Sequence, residues 1–196
     1  MLRQLWRLTR PVPAAGPSAL AVSIYEHPDG VETTGGNVAV YDVESNTAHF
    51  GTSSVRGRAL VWKLEDEAEA DAKLAAQVVL DGDCLMRCDR VDFPRGGIAY
   101  RHTHPGPGIR CLLFGSIRID SGGETDVYGP LEAWFESGPE PVLAFASEDE
   151  ETAFVRVMLL PRQWEGKRTI RYVDAADEDK PRLQRATVFF DEPIEL

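Results

Sequence analysis

The part of the chain that most constrains the fold is residues 96–115, which contain two histidines one residue apart, His102 and His104. Residues of strand character surround the pair. Because side chains alternate between the two faces of a strand, we expect both imidazoles on one face, together with Tyr100. A Pro-Gly-Pro-Gly sequence at residues 105–108 follows and interrupts the strand, and an apolar run returns after it. The sequence therefore predicts a strand that carries a histidine pair, a tight turn and a returning strand.

The rest of the chain has the rhythm of an all-β protein. Short apolar segments alternate with turn sequences at spacings of roughly ten residues, which is typical of an antiparallel sandwich or barrel. The glycine fingerprints of nucleotide-binding folds and the common hydrolase and zinc-protease motifs do not occur. Residues 186–190 are a plausible last strand. We expect that strand to pair with the barrel or with a second subunit, because an exposed edge invites aggregation.

The spacing within residues 96–115 resembles the first signature motif of the cupin family. That motif is a glycine, five residues, His-x-His, three or four residues, a glutamate, six residues and a glycine. Gly96, His102, His104 and Gly115 stand at matching positions, whereas Gly108 stands where the family has its glutamate. The resemblance implies an antiparallel cupin β-barrel, or jelly roll, with the histidine pair pointing into its mouth.

The second cupin motif is a glycine, five residues, Pro-x-Gly, two residues and a histidine. Aligned from Gly129 without gaps, it puts Glu140 at the histidine position. Shifted by one residue, Gly138 matches the glycine and Pro141 takes the histidine position. Neither alignment supplies a histidine. A third metal ligand would therefore be a carboxylate, for which Glu136 is the first choice and Glu140 the second.

Two neutral imidazoles on one face can ligate a divalent transition metal. Completed by a carboxylate, the pair His102 and His104 would suit Zn, Fe, Mn or Ni alike. The resemblance then implies a metal-dependent enzyme, such as an oxygenase or an isomerase, that acts on a small organic molecule. The alternative is a non-catalytic cupin that binds or senses a small molecule and whose metal site has decayed. The histidine pair favours the first interpretation, and the missing glutamate and second-motif histidine favour the second.

Two further residues are candidates for binding the small molecule. Arg110 begins the returning strand. If its side chain faces inward, it supplies a fixed positive charge for an anionic substrate such as a carboxylate, and if it faces outward it is an ordinary solvated arginine. Tyr100 would line the pocket if it shares the histidine face, but a core aromatic residue is equally consistent with its position.

Composition restricts the partners. The 196 residues carry a formal net charge of -11. Nucleic acids and anionic membranes both require a basic surface, so we expect neither as a partner. We expect an acidic cytoplasmic protein. Its three cysteines, Cys84, Cys88 and Cys111, lie in apolar segments and are expected to be buried free thiols.

The sequence divides into four predicted parts. Residues 1–18 form an N-terminal arm, and residues 19–76 form an extension of strands and one short helix. The helix is predicted over residues 65–76, which are rich in alanine and glutamate. Residues 77–163 form the cupin barrel core, and residues 164–196 form a tail with a terminal strand.

A homodimer is also expected. Two strand-prone segments, residues 20–25 and 186–190, lie outside the predicted core. Because unpaired edge strands are usually covered by another element or by another subunit, these segments favour association of two copies.

Overall fold

The computed structural model describes residues 19–195, so the predicted N-terminal arm lies outside the described residues. Residues 19–195 form fifteen β-strands and two 3₁₀ turns, at Arg162–Trp164 and Ala175–Asp177. The prediction of an all-β protein is confirmed. Across this same range, no helix is long and apolar enough to cross a membrane. The strands are β1 (Ala19–His27), β2 (Val31–Asp42), β3 (Thr47–Val55), β4 (Ala59–Glu65), β5 (Leu74–Val79), β6 (Cys84–Phe93), β7 (Ile98–Thr103), β8 (Gly108–Phe114), β9 (Ile117–Ser121), β10 (Glu124–Tyr128), β11 (Ala133–Glu136), β12 (Val142–Ala146), β13 (Thr152–Pro161), β14 (Arg171–Tyr172) and β15 (Arg185–Pro193).

The strands form three antiparallel sheets of five strands each. The first sheet has the order β3-β2-β4-β1-β5. The middle sheet has the order β11-β8-β13-β6-β15, and the outer sheet has the order β10-β9-β12-β7-β14. The first sheet is formed entirely by residues 19–79, although its strands β1 and β5 are distant in sequence. In the other two sheets, strands distant in sequence lie side by side, so the chain crosses repeatedly between them.

The middle sheet is buried on both faces, and this arrangement follows from the period of two along its strands. In β13, Val155, Val157 and Leu159 pack against the first sheet. The intervening Phe154 and Arg156 face the outer sheet. Strand β6 alternates in the same way, with its cysteines and methionine toward the first sheet. The middle sheet therefore contributes to two separate interiors.

The interior between the first and middle sheets is apolar. Trp62 in β4 has no exposed surface, and its indole N–H donates a hydrogen bond to the carbonyl oxygen of Ile109 in β8, at 3.2 Å. All three cysteines lie in this interior and are free thiols, as predicted. Burial raises the pKa of the Cys111 thiol to about 12, so this side chain behaves as a small apolar group.

The prediction of a helix over residues 65–76 is wrong. Residues 66–73 form turns, and β5 begins at Leu74 and pairs with β1. The segment lacks an apolar stripe of helical period, so packing gives a helix no advantage there. The hydroxyl of Tyr25 instead accepts a hydrogen bond from the Glu69 amide, at 3.0 Å. The start of the predicted core at residue 77 therefore falls within β5 of the first sheet.

The two segments that motivated the homodimer are both paired within the chain. Residues 20–25 lie in β1, between β4 and β5. Residues 186–190 lie in β15, which pairs with β6 of the same chain. The terminal strand thus pairs within the chain, which is the first of its two predicted partners. Residues 20–25 have a neighbouring strand on both sides, whereas β15 is the last strand of the middle sheet and pairs with β6 alone.

Truncation of Trp62 tests the packing between the first and middle sheets. We expect Trp62→Ala to lower the free energy of unfolding by about 3–5 kcal/mol, because it leaves a large cavity and an unpaired carbonyl. Urea unfolding gives the measurement. The control is Val127→Ala on the exposed β10, where we expect a change within about 0.5 kcal/mol. A loss below about 1 kcal/mol in Trp62→Ala would contradict the packing of these sheets.

Candidate functional site

A cavity of about 430 Å³ lies between the middle and outer sheets. This volume falls within the range of small-molecule sites in proteins. The cavity is amphipathic along the strands. Toward one end of β6 and β13 the register pairs Val91 with Phe154, and two residues further along it pairs Asp89 with Arg156. The apolar wall consists of Val91, Phe93, Ala99, Ile119, Trp134, Val142, Ala144 and Phe154, and the polar end includes Arg87, Asp89, His102, His104, Glu136, Arg156 and Gln184.

A β-bulge in β7 decides which of its side chains face the cavity. His102 is opposite Val142 of β12, and Ala99 is opposite Ala144, so three steps along β7 match two steps along β12. Ala99 and His102 therefore both line the cavity. Tyr100 does not line it. The Nζ atom of Lys180 lies 4.4 Å from the centre of the Tyr100 ring. Simple alternation, which places Tyr100 with the histidines, does not anticipate the bulge.

The two histidines lie together at the polar end, as their spacing predicts. Their ring centres are 4.8 Å apart, and the rings are nearly perpendicular, at 83°. Both side chains are almost fully buried. The backbone amide of His104 donates to the Gly138 carbonyl at 2.8 Å, which ties the turn after β7 to the loop after β11.

Hydrogen bonding fixes the tautomer of His102. Its Nδ1 atom is 2.7 Å from the carbonyl oxygen of Tyr100. Because a carbonyl oxygen only accepts, Nδ1 carries the proton and Nε2 of the neutral ring carries a lone pair. Burial lowers the pKa of His102, although the nearby Glu136 carboxylate partly opposes this effect. The neutral ring is therefore favoured at neutral pH.

His104 is held neutral more strongly. Its Nε2 atom is 3.4 Å from Nη1 of Arg156, and a guanidinium group can only donate. Nε2 is therefore the acceptor, and the proton is on Nδ1. Burial first, and then the positive charges of Arg156 and Arg110, keep the pKa of His104 well below its ordinary value.

Arg156 is paired with a carboxylate of the adjacent strand. Its Nε and Nη2 atoms donate to the two oxygens of Asp89, at 2.6 and 3.1 Å, in a bidentate arrangement. Both side chains are buried. The pair balances the arginine charge within the cavity wall and leaves Nη1 directed at His104.

Arg110 faces inward, which decides between the two orientations that the sequence leaves open. Its side chain is fully buried, and Nη1 donates to the carbonyl of Gly108 at 2.6 Å. Its Nη2 atom is 2.7 Å from Oε2 of Glu136. Burial lowers the pKa of Arg110 to about 10, against the opposing effect of Glu136. Its charge is thus balanced by Glu136, and Arg110 lies behind the cavity wall.

The two glutamates predicted as third metal ligands are in different places. Glu136 lies at the polar end, where Oε2 is 3.7 Å from Nε2 of His104 and Oε1 accepts from the Trp134 indole at 2.9 Å. Glu140 is exposed and does not line the cavity. The structure therefore brings His102, His104 and Glu136 together and leaves Glu140 apart.

The segment after β13 and the strand β15 cover the polar end. Arg87 makes a bidentate ion pair with Asp191 of β15, with both distances at 2.5 Å. The same guanidinium donates to the carbonyl oxygens of Trp164 and Lys167, at 3.1 and 2.7 Å. Burial opposes ionisation of Asp191, but its hydrogen bonds from Arg87 and Gly166 lower its pKa overall. This ion pair holds the segment 164–167 against the middle sheet.

Sequence reasoning missed Arg87, Asp89 and Arg156, which form much of the polar end. The printed sequence contains a signal for Arg156, which is the single charge within the long and otherwise mostly apolar strand β13. Because a charged side chain is rarely buried without a partner, such an isolated charge indicates a carboxylate on a neighbouring strand. Strand β6 carries four charges, so its own pattern does not single out Arg87 or Asp89.

The positive charges at the polar end oppose the binding of a divalent metal. Within residues 19–195 there is no group of three histidine, cysteine, aspartate or glutamate residues placed to hold one. The guanidinium groups of Arg156 and Arg110 contact His104 and Glu136, so two of the three nearest donors already face a positive charge. A divalent cation there would meet direct repulsion.

Packing leaves no room for a side chain at Gly108, the position where the cupin motif has its glutamate. A Cβ atom placed on Gly108 would lie 2.2 Å from the carbonyl oxygen of Val157 in β13. That distance is far below van der Waals contact, so only glycine fits where β8 approaches β13 this closely. A glutamate at Gly108 would require the two strands to separate.

No model of a known protein family matches the sequence, and no curated protein matches it. What the site does is therefore inferred from its geometry.

The neutral state of His104 predicts how stability depends on pH. The pKa of His104 is lower in the folded chain than in the unfolded chain, where it is about 6.5. Below that pH the unfolded chain binds a proton that the folded chain does not, so the free energy of unfolding falls as the pH drops. We expect His104→Gln to flatten this dependence in urea unfolding at pH 5.5 and 7.5.

The matched control for that experiment is His49→Gln, which replaces an exposed histidine of β3. We expect this variant to keep the parent pH dependence. An unchanged slope in His104→Gln would contradict the neutral, buried state of the ring.

Proposed function

We propose that this chain binds a small organic molecule, without a metal, in the cavity between the middle and outer sheets. The observation that carries the proposal is the amphipathic wall of that cavity, with aromatic and aliphatic side chains at one end and buried histidine, arginine and carboxylate groups at the other. Sites for small molecules combine a largely apolar surface with a few fixed polar groups in this way.

Incomplete hydrogen bonding at the polar end of the cavity also supports the proposal. Among residues 19–195, buried side-chain atoms without a hydrogen-bond partner occur in His104, Arg110, Glu136 and Gln184. Three of these residues, His104, Glu136 and Gln184, line the cavity, and the fourth, Arg110, is paired with Glu136. Because folding normally satisfies buried polar groups, their concentration at one place is typical of a site selected for function rather than for stability.

We infer also that β6–β13 form the jelly roll that cupins share. A jelly roll interleaves eight strands so that the first, eighth, third and sixth are neighbours in one sheet, and the second, seventh, fourth and fifth in the other. The middle sheet contains β6-β13-β8-β11 in that order, and the outer sheet contains β7-β12-β9-β10. This order supports the cupin resemblance of the histidine motif independently of the motif itself.

A metal-dependent cupin enzyme is the second candidate function. The observation that favours it is the proximity of His102, His104 and Glu136. The paired arginines at the same donors favour the metal-free site, and so does the steric exclusion of a glutamate at Gly108. We therefore prefer a binding or sensing protein over an enzyme that uses Zn, Fe, Mn or Ni.

The remaining expectations stay predictions from the sequence. The two segments that suggested a homodimer are paired within the chain. Sedimentation at micromolar concentration tests whether two copies associate. The acidic net charge continues to favour a cytoplasmic protein without a nucleic-acid or membrane partner.

Blocking the cavity tests the binding function. We expect native mass spectrometry of the purified chain to detect a bound small molecule, or thermal-shift screening to find one. Ala144→Phe fills the apolar end of the cavity and should abolish that binding. Thr125→Phe on the exposed β10 adds the same side chain outside the cavity and should leave binding unchanged. Equal binding by both variants would contradict the proposed site.

Elemental analysis tests the metal-free site. We expect protein purified without chelator to hold less than about a tenth of an equivalent of any transition metal, and added Zn or Mn to leave the melting temperature unchanged. The double variant His102→Ala, His104→Ala should then respond to these metals no differently from the parent. Stoichiometric metal that is lost in the double variant would favour the enzyme interpretation instead.

A further inference from the structure

The charges around the polar end are balanced without a ligand. Three arginines lie there, and each is paired with its own carboxylate: Arg87 with Asp191, Arg110 with Glu136, and Arg156 with Asp89. The two histidines are neutral in the tautomers described above. Lys167 and Arg168 also line the cavity, but both side chains are exposed. An anionic group placed at the buried polar end would therefore meet no unpaired positive charge there, which is costly. This arrangement disfavours the carboxylate ligand that Arg110 suggests in the sequence.

Nε2 of His102 is a further hydrogen-bonding atom available at this end, beside the unpaired buried atoms of His104, Glu136 and Gln184. His102 uses Nδ1 to reach the carbonyl oxygen of its own strand, so the ring edge that carries Nε2 is turned away from β7. Within the described residues, no hydrogen bond uses that Nε2 atom, and His102 lines the cavity. A lone pair in this position accepts a hydrogen bond from a ligand that has an O–H or N–H group.

The opposite end of the cavity favours a flat aromatic body. The ring centres of Trp134 and Phe154 are 5.3 Å apart in an edge-to-face arrangement, and those of Phe93 and Phe154 are 6.0 Å apart. Aromatic rings pack against such walls in offset or edge-to-face geometry, with attraction beyond area burial. A ring system placed there extends toward His102 along the direction of the strands.

We propose that the ligand is an uncharged aromatic alcohol, with its ring among Phe93, Trp134 and Phe154 and its hydroxyl group donating to Nε2 of His102. This inference rests on the proposed binding function and names the ligand class of the same cavity. The neutral hydroxyl donor satisfies the available acceptor and leaves the three ion pairs intact. A carboxylate of the same size does not donate to Nε2 and places a negative charge beside the ion pairs, and an unsubstituted hydrocarbon leaves Nε2 without a donor.

Three probes of one shape test the ligand class: 2-naphthol, 2-naphthoate and naphthalene. By isothermal titration at neutral pH, we expect 2-naphthol to bind about tenfold or more tightly than either other probe, the difference that one good hydrogen bond makes. His102→Phe should reduce 2-naphthol to the affinity of naphthalene and leave naphthalene unchanged. The control His49→Phe, on the surface of β3, should leave all three affinities unchanged.

The rank order on the unaltered chain decides the inference even if His102→Phe does not fold. Tighter binding of 2-naphthoate would overturn the uncharged class, and equal binding of naphthalene would overturn recognition of the hydroxyl group. In both of these cases the proposed binding function would stand, because the cavity is occupied. Failure of all three probes would overturn the aromatic alcohol, while the binding function would fail only if the cavity-blocking experiment also found no ligand.

Discussion

Burial of both faces of the middle sheet is the constraint on which the rest of the structure depends. Strands β6, β8 and β13 send alternate side chains to two different interiors, and the period of two along a strand separates them. The side toward the first sheet is largely apolar and includes the fully buried Trp62. The side toward the outer sheet is only partly apolar, and it keeps a cavity. The first sheet thus covers one face of the middle sheet, and the cavity lies against the other face.

Charge on that second face is tolerated because it is paired at short range. Asp89 and Arg156 are neighbours across β6 and β13, and Arg110 meets Glu136 across β8 and β11. A buried ion pair adds little net stability, but removing one member leaves an uncompensated charge and is strongly destabilising. Burial lowers the pKa of both histidines, and the positive charges of Arg156 and Arg110 add to this effect. The same ion pairs shape the polar end of the cavity. Structural and functional requirements on these residues therefore coincide.

Much of the fold and part of the site follow from local sequence patterns. Strand rhythm and turns give the all-β class, and the His-x-His spacing places both imidazoles in one cavity. The prediction of a helix over residues 65–76 is wrong because it rests on composition, which favours a helix there. Residues from Leu74 onward instead pair with β1 as a strand. Tyr100 does not line the cavity with the histidines, because β7 has a bulge where it pairs with β12. Glu140 is close to Glu136 in sequence but is exposed, because the chain turns between them.

By itself, the sequence determined the period of its strands, the position of its turns and the histidine pair, since these depend on residues near one another in the chain. Tertiary structure alone decided that Arg110 faces inward, that Arg156 meets Asp89, and that Gly108 leaves no room for a glutamate. Each of these facts is a contact between strands far apart in sequence. Local propensity contains no information about which strands become neighbours, and the chemistry of the cavity depends on exactly those neighbours.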